Sequence, residues 1–214
     1  MSFSPEWNQI YQQGRQHTKW PWSDVISLCH RFGCLQGSVL ELGCGTGANV
    51  SFFHSIGMCY KGMDASLDAL GATPHDKRLF VAGDFTTYIP GKDYDLIIDR
   101  AAVTHNSTVD IHNTLDLIYD ALKPGGYYLA IDWFGTQHSE FARGNVVDIN
   151  TRNGYTKGQF KGVGNVHFSS YTHLQKLFNR FSIELMEQKV VTRFVPDEDY
   201  RVATWNVVAR KVFP

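Results

Sequence analysis

The sequence is short of several features that would settle its class at once. Its four cysteines, Cys29, Cys34, Cys44 and Cys59, form no CxxC pair. That spacing offers neither a zinc knuckle nor a disulfide framework, and it predicts free thiols in a reducing compartment. No apolar run approaches the ~18 residues of a bilayer-spanning helix. The opening MSFSPEWNQIYQQ carries Pro5 and Glu6 and lacks a cationic end followed by an apolar stretch, so it does not read as a secretory leader. Neither charge sign dominates, since 20 Lys and Arg stand against 21 Asp and Glu, a formal net charge of −1. No broad cationic field gathers nucleic acid or an anionic membrane. Repeats, low-complexity tracts and long charge blocks are missing as well. The expectation is a cytoplasmic globular protein with neither nucleic acid nor membrane as a partner. Its oligomeric state is left open.

What is present is core-forming material. The chain has 214 residues, 43% hydrophobic and 14% aromatic. This suits one domain spanning 1–214 with a dense core or a ring-lined pocket. Short apolar runs alternate with helical periods. In SDVISLCHRFG, Ser23 is placed to cap a helix whose inner face is Val25, Leu28, Cys29 and Phe32. Strands are expected at 38–43, 58–64, 78–84, 94–100 and 127–132, and the second, third and fourth each end at or one residue past an acid. Asn106 or Ser107 can cap a helix through Ile111, Leu115, Ile118 and Leu122, and KPGG (123–126) should break it. From Trp133 to Phe168 the pattern lapses into a glycine-punctuated stretch, the kind of long connection that is often functional. A helix capped by Ser169 or Ser170 follows, with Tyr171, Leu174, Phe178 and Phe181 inward. Two last strands (181–190 and 201–212), joined through Pro196-Asp197, should pair antiparallel.

Strand–helix alternation over five strands predicts an α/β fold, a doubly wound parallel sheet with helices on both faces. Ligands on such sheets bind beyond the carboxyl ends of the strands, beside the first strand. That strand leads into ELGCGTGA (41–48). GCGTGA satisfies the loose dinucleotide fingerprint G-x-G-x-x-G/A, with Ala48 in the last place, so NAD is one reading. It is not a phosphate-binding P-loop, because no Gly-Lys-Ser/Thr follows. Three features weigh against NAD. Glu41 lies two residues before Gly43, where a carboxylate disfavours a pyrophosphate. Strand-end acids recur at Asp64, Asp84 and Asp99, whereas a ribose diol needs one. The C-terminal strand pair is foreign to most dinucleotide domains.

ELGCGTG (41–47), Asp64, GDF (83–85), YDLIIDR (94–100) and LKPGG (122–126) together resemble the ordered motifs of class I S-adenosylmethionine-dependent methyltransferases. The resemblance covers about Val25 to Val212. Within that superfamily the chain is most similar to small single-domain enzymes, including the tellurite-resistance and thiopurine-methyltransferase-like groups. The resemblance implies a Rossmann-like seven-stranded sheet of order 3-2-1-4-5-7-6 with the last strand antiparallel. It implies methyl transfer from S-adenosyl-L-methionine to an O, N or S atom of a small molecule by direct in-line displacement. DRAAVTHN (99–106) stands where amino-methylating nucleic-acid enzymes carry Asn/Asp-Pro-Pro-Tyr/Phe, and no Pro-Cys pair marks a cytosine enzyme. A non-catalytic cofactor-binding subunit of the same fold is the alternative from another class, and NAD-linked oxidoreduction is a third reading.

The resemblance also distributes roles. Gly43, Cys44, Gly45 and Gly47 would form the turn around the methionine part, with Glu41 beneath its ammonium and Cys44 as a turn residue, not a nucleophile. Asp64 would hold the ribose hydroxyls, with Met63 and Ala65 against the adenine. Asp84 would accept from the adenine amino group and Phe85 would donate a backbone N–H. Asp99 and Arg100 would close the methionine end, Arg100 pairing with the cofactor carboxylate or with Asp95 or Asp99. His105, His167 and Asp132 are the candidate catalytic groups. Trp20, Trp133, His138, Tyr155 and His167 are the candidate substrate contacts, within a 133–168 insertion rich in rings. Residues 1–22 (Tyr11, Trp20, Trp22) form a candidate lid. No metal is expected, because Trp133 occupies the place of a magnesium-ligating Asn.

Overall fold

The computed structural model describes residues 4–195 and 200–212. Pro196-Asp197 lies outside them. The helices are α1 (Glu6–Gln12), α2 (Ser23–Arg31), α3 (Val50–Ser55), α4 (Leu67–Ala72), α5 (Thr108–Ala121) and α6 (Tyr171–Leu177). The strands are β1 (Ser38–Leu42), β2 (Cys59–Asp64), β3 (Phe80–Ala82), β4 (Tyr94–Arg100), β5 (Leu122–Phe134), β6 (Asn145–Val146), β7 (Thr151–Asn153), β8 (Val166–His167), β9 (Ser182–Thr192) and β10 (Arg201–Arg210). The main sheet runs β3-β2-β1-β4-β5-β10-β9. Strands β1 to β5 are parallel, and β10 is antiparallel to both β5 and β9. Leaving aside the three short strands of the insertion, this is the 3-2-1-4-5-7-6 order.

The period-2 alternation of the strands feeds two cores. Leu40, Leu42, Ile97, Tyr128 and Ala130 face α5 and α6, and pack with Ile111, Leu115, Ile118, Leu174 and Phe178. Val39, Leu96, Ile98, Leu129 and Ile131 face the other way, onto Val25 and Leu28 of α2 and Phe53 of α3. Central parallel strands are covered on both faces, so they read as continuous apolar runs. Each fully buried aliphatic side chain contributes about 1.5–3 kcal/mol.

The boundaries differ from expectation for local reasons. Strand β3 is short because Lys77–Leu79 form a 3₁₀ turn capped by Asp76, whose carboxylate accepts from Arg78 N–H. Helix α5 ends at Ala121, before KPGG, and that segment belongs to β5. There the ladder to β4 is irregular, Gly125 adopts φ +79°, and the Gly125 N–H donates to the Lys211 carbonyl. Ser23 begins α2 and does not cap it; the preceding Trp22 N–H donates to Asn49 Oδ1. Ser107 caps α5 and Ser170 caps α6, accepting from Asp110 N–H and His173 N–H. Tyr171 is 54% exposed instead of inward, because it begins α6 on the solvent side, while Leu174, Phe178 and Phe181 are buried. The lapsed stretch holds a three-stranded antiparallel sheet, β6-β7-β8, with its own core of Phe134, Tyr155, Phe160, Val166 and Phe168.

Candidate functional site

A cavity of about 490 Å³ opens beyond the carboxyl ends of β1, β2, β4 and β5. Its floor is the glycine turn after β1. Gly43 and Gly45 have φ of +64° and +55°. A Cβ on Gly43 would stand 2.3 Å from Ala102 Cβ, and one on Gly45 would stand 2.6 Å from the Tyr11 hydroxyl. Only glycine supplies both the left-handed conformation and the empty space. Gly47 (φ +84°) turns away from the cavity, packed on Phe80 and His75.

Around this floor the wall contains Glu41, Cys44, Asp64, Ala65, Asp84, Phe85, Arg100, His105 and Asp132. Asp64 ends β2. Its Oδ2 accepts from Gly45 N–H at 2.8 Å and its Oδ1 from Ser66 N–H at 2.8 Å. Each oxygen keeps acceptor capacity for a ligand. Asp84 Oδ1 accepts from Thr86 N–H and Oγ1. Burial pushes the Cys44 thiol up, reinforced by Asp64 and Glu41, which keeps it protonated and a poor nucleophile.

Glu41 accepts from Asn49 Nδ2 at 2.7 Å and from the Tyr60 hydroxyl at 2.5 Å. Burial raises it to about 7 despite those two bonds. A carboxyl raised in the folded state favours folding most while protonated. That contribution is complete below its ordinary value and is lost as pH rises through about 7. Glu41 taken alone should therefore lower the stability of the free protein between pH 5 and 8, against the opposite contribution of His105 and His167, which burial keeps neutral. Glu41→Gln should remove the Glu41 share, making the change from pH 5 to 8 more favourable by about 2–3 kcal/mol. Urea unfolding of both proteins at the two pH values checks this, and equal slopes would remove Glu41 from the explanation.

In the same wall two residues are left-handed, Ala101 just past β4 at φ +52° and Asp132 near the end of β5 at φ +56°. A non-glycine residue there carries strain of roughly 1–2 kcal/mol. Asp132 receives Arg100 Nη2 and Lys189 Nζ, each at 2.5 Å, and Thr204 Oγ1 at 3.1 Å. Burial opposes its ionisation, but Lys189 and Arg100 outweigh it and hold Asp132 below the usual carboxylate range. Arg100 pairs with Asp24 and Asp132, not with Asp95 or Asp99, and its guanidinium lies 3.8 Å over the Trp22 ring. Asp95 is taken by Lys123 and Ser38.

His105 sits on the 3₁₀ turn Val103–His105 after β4. Its Nδ1 lies 2.9 Å from the Asn165 carbonyl oxygen. A carbonyl only accepts, so Nδ1 carries the hydrogen and Nε2 keeps the lone pair. Burial pushes its pKa down to about 4, so the ring is neutral at pH 7.

Several expected positions lie elsewhere. Asp99 is fully buried behind the wall, where four donors occupy its carboxylate. Trp133 is one of them; it points into the core because it follows Asp132 on the opposite face of β5. Met63 is also in that core. Trp20 is 82% exposed and outside the wall, on the arm between α1 and α2. His138 and Tyr155 belong to the insertion core, Tyr155 donating to the Glu140 carbonyl. His167 is buried in β8 between Thr151 Oγ1 and His173 Nε2, both at 3.0 Å, and burial pushes it down to about 3. None of these seven residues lines the cavity.

The wall also includes residues the sequence did not single out for it: Trp7 of α1, and Lys189, Val191, Val202 and Thr204 of the C-terminal hairpin. For the hairpin the available signal was alternation, which puts Lys189 and Val191 on one strand face. Phe134 and Phe160 come from the ring-rich insertion, and Tyr11 from the arm.

No curated protein matches the chain in sequence. Solved structures resemble it throughout. A 1,6-didemethyltoxoflavin N1-methyltransferase from Burkholderia thailandensis, with 1,6-didemethyltoxoflavin and S-adenosylhomocysteine bound, is 16% identical over 97% of this chain and 86% of its own, with a TM-score of 0.69. A SAM-dependent methyltransferase from Methanosarcina mazei is 16% identical over 91% of this chain and 100% of its own, with a TM-score of 0.67. TehB from Haemophilus influenzae is 13% identical over 95% of this chain and 67% of its own, with a TM-score of 0.65. At such identities the likeness is one of fold. Residues 16–188, by contrast, match a sequence family described as a methyltransferase domain. Over that span, which includes the glycine turn and the strand-end acids, this chain belongs to the methyltransferase-domain family.

Proposed function

We propose that this chain is an S-adenosylmethionine-dependent methyltransferase that methylates an O, N or S atom of a small molecule. The observation that carries this is the glycine floor beside Asp64. Two positions that admit no Cβ bring the backbone against the cavity, next to a buried carboxylate with acceptor capacity to spare. These residues fit a ligand with a ribose diol and no phosphate. Asp64 would hold the diol, Glu41 would lie under the ammonium, and Asp84 and Phe85 would meet the adenine. S-adenosylmethionine, when bound, supplies a methyl group on a sulfonium that the acceptor's lone pair attacks.

The chain's own part is placement and proton handling. The wall orients the acceptor for in-line approach and excludes water. A neutral O–H, N–H or S–H acceptor becomes acidic as its bond to carbon forms, and Nε2 of His105 is the lone pair available to take that proton. Asp132, ionised but shared by two cations, positions Arg100 and Lys189 in preference to acting as a base.

Calorimetry with S-adenosylhomocysteine tests the reading. One site should be filled, and NAD should not bind. Asp64→Ala should weaken the binding roughly 10- to 100-fold, the loss expected for hydrogen bonds to a charged group. NAD binding in place of S-adenosylhomocysteine would overturn the proposal, and undiminished affinity in the variant would remove the ribose role. Cofactor binding without transfer to any acceptor would favour the non-catalytic subunit.

A further inference from the structure

Resting on that reading, we propose that the methyl acceptor is an uncharged aromatic ring compound bearing an O–H or N–H, held against the cavity wall formed by Trp7, Phe134 and Phe160 with that group on His105 Nε2. The first support is a wall of rings packed on one another. Phe134 and Phe160 meet edge to face with centroids 4.6 Å apart. The His105 ring lies 4.9 Å from Trp7, 5.5 Å from Phe134 and 6.3 Å from Phe160, each near perpendicular. All four line the cavity. A flat ring laid on the cavity side of this wall gains stacking and edge contacts beyond its buried area.

The second support is the charge at the same end. Arg100 and Lys189 carry two positive charges there. Asp24 and Asp132 carry two negative ones and contact them at 2.5–3.1 Å. The group is neutral as it stands. His105 adds no charge at pH 7, because burial keeps it unprotonated. An ionised acceptor beside the rings would find no counter-ion unless it broke this network, and an unpaired charge is costly away from water. A carboxylate acceptor would have to detach Asp132 from Lys189, and an ammonium acceptor would have to detach Lys189 from Asp132. An uncharged O–H or N–H needs only one hydrogen-bond acceptor, which Nε2 supplies.

The experiment uses the full chain saturated with S-adenosylhomocysteine at pH 7, and three probes sharing one ring system: 1-naphthol, 1-naphthoate and 1-naphthylmethylamine. Calorimetry should show 1-naphthol binding at least tenfold more tightly than either ion. Phe160→Ala should weaken 1-naphthol at least tenfold and leave S-adenosylhomocysteine affinity within twofold. Asp132→Asn, which removes a negative charge between Arg100 and Lys189, should raise naphthoate affinity at least fivefold. Equal or tighter binding of an ion to the wild-type protein, or no binding of any ring, overturns the acceptor class while cofactor binding still stands. Failure of S-adenosylhomocysteine to bind is a separate result, and it overturns the methyltransferase reading itself.

Discussion

Replacing Asp99 by alanine should destabilise the protein by about 4 kcal/mol or more, by the cost of stranding several buried donors. Asp99 Oδ1 accepts from the backbone N–H groups of Ala102 and Val103, both at 2.9 Å. Its Oδ2 accepts from the Tyr128 hydroxyl at 2.7 Å and Trp133 Nε1 at 2.9 Å. Burial raises the carboxyl, and these four donors pull the other way. Without the carboxylate, the Val103, Tyr128 and Trp133 donors would be left unpaired in the core and the Ala102 N–H at the cavity wall, each core donor worth roughly 1–3 kcal/mol, with partial relaxation reducing the sum. Domains of this kind are stable by only about 5–15 kcal/mol, so the variant should be near its folding limit. Asp99→Asn keeps the volume and one acceptor oxygen, and should lose about half as much. Urea unfolding measures both, and a loss under 1 kcal/mol for the alanine variant would refute the role. The effect should reach the cavity, because Ala102 packs against Gly43 and Ala101 is in the wall.

Asp99 also shows where sequence reading stops. As a strand-end acid it looked equivalent to Asp64 and Asp84. Two of the four donors that claim it, Tyr128 and Trp133, are 29 and 34 residues away on β5, and strand pairing brings them there. Asp64, by contrast, was legible because its environment is local: a strand ending at an acid, beside a glycine turn. The sheet order followed from five ordered motifs for the same reason. The hairpin's contribution was not legible, since Lys189 reaches Asp132 only after β10 pairs with β5 and β9. His138 and His167 were legible as histidines in a ring-rich insertion. Whether such a ring faces a cavity or fills a small core depends on β6, β7 and β8, two- and three-residue strands too short to leave a period.

His105→Ala should lower the rate of methyl transfer about 10²–10⁴-fold, the usual range for a positioned acid–base group. S-adenosylhomocysteine affinity should stay within a few-fold. The argument begins with the tautomer. Because the Asn165 carbonyl holds the Nδ1 hydrogen, the lone pair on Nε2 does not depend on the substrate to orient it. Trp7 and Phe134 pack against the ring and fix its plane. Burial, which lowers the pKa to about 4, makes Nε2 a weak base toward a resting O–H or N–H. It is an adequate one toward an acceptor already bonded to the incoming methyl carbon, whose proton is far more acidic. The neutral ring is the active form, so activity is lost only as pH falls through about 4, while an ordinary histidine would lose it near 6.5. With S-adenosylmethionine saturating, so that ionisation of Glu41 beneath the ammonium does not enter, transfer to 1-naphthol followed by S-adenosylhomocysteine release between pH 5 and 8 should show no acid limb in that range. Nitrogen-15 NMR of the imidazoles should find His105 as the Nδ1–H tautomer throughout the same interval. An acid limb near 6.5 that vanishes in His105→Gln would mean a ring more open to water than this wall allows. A variant with unchanged turnover would place the proton's exit elsewhere.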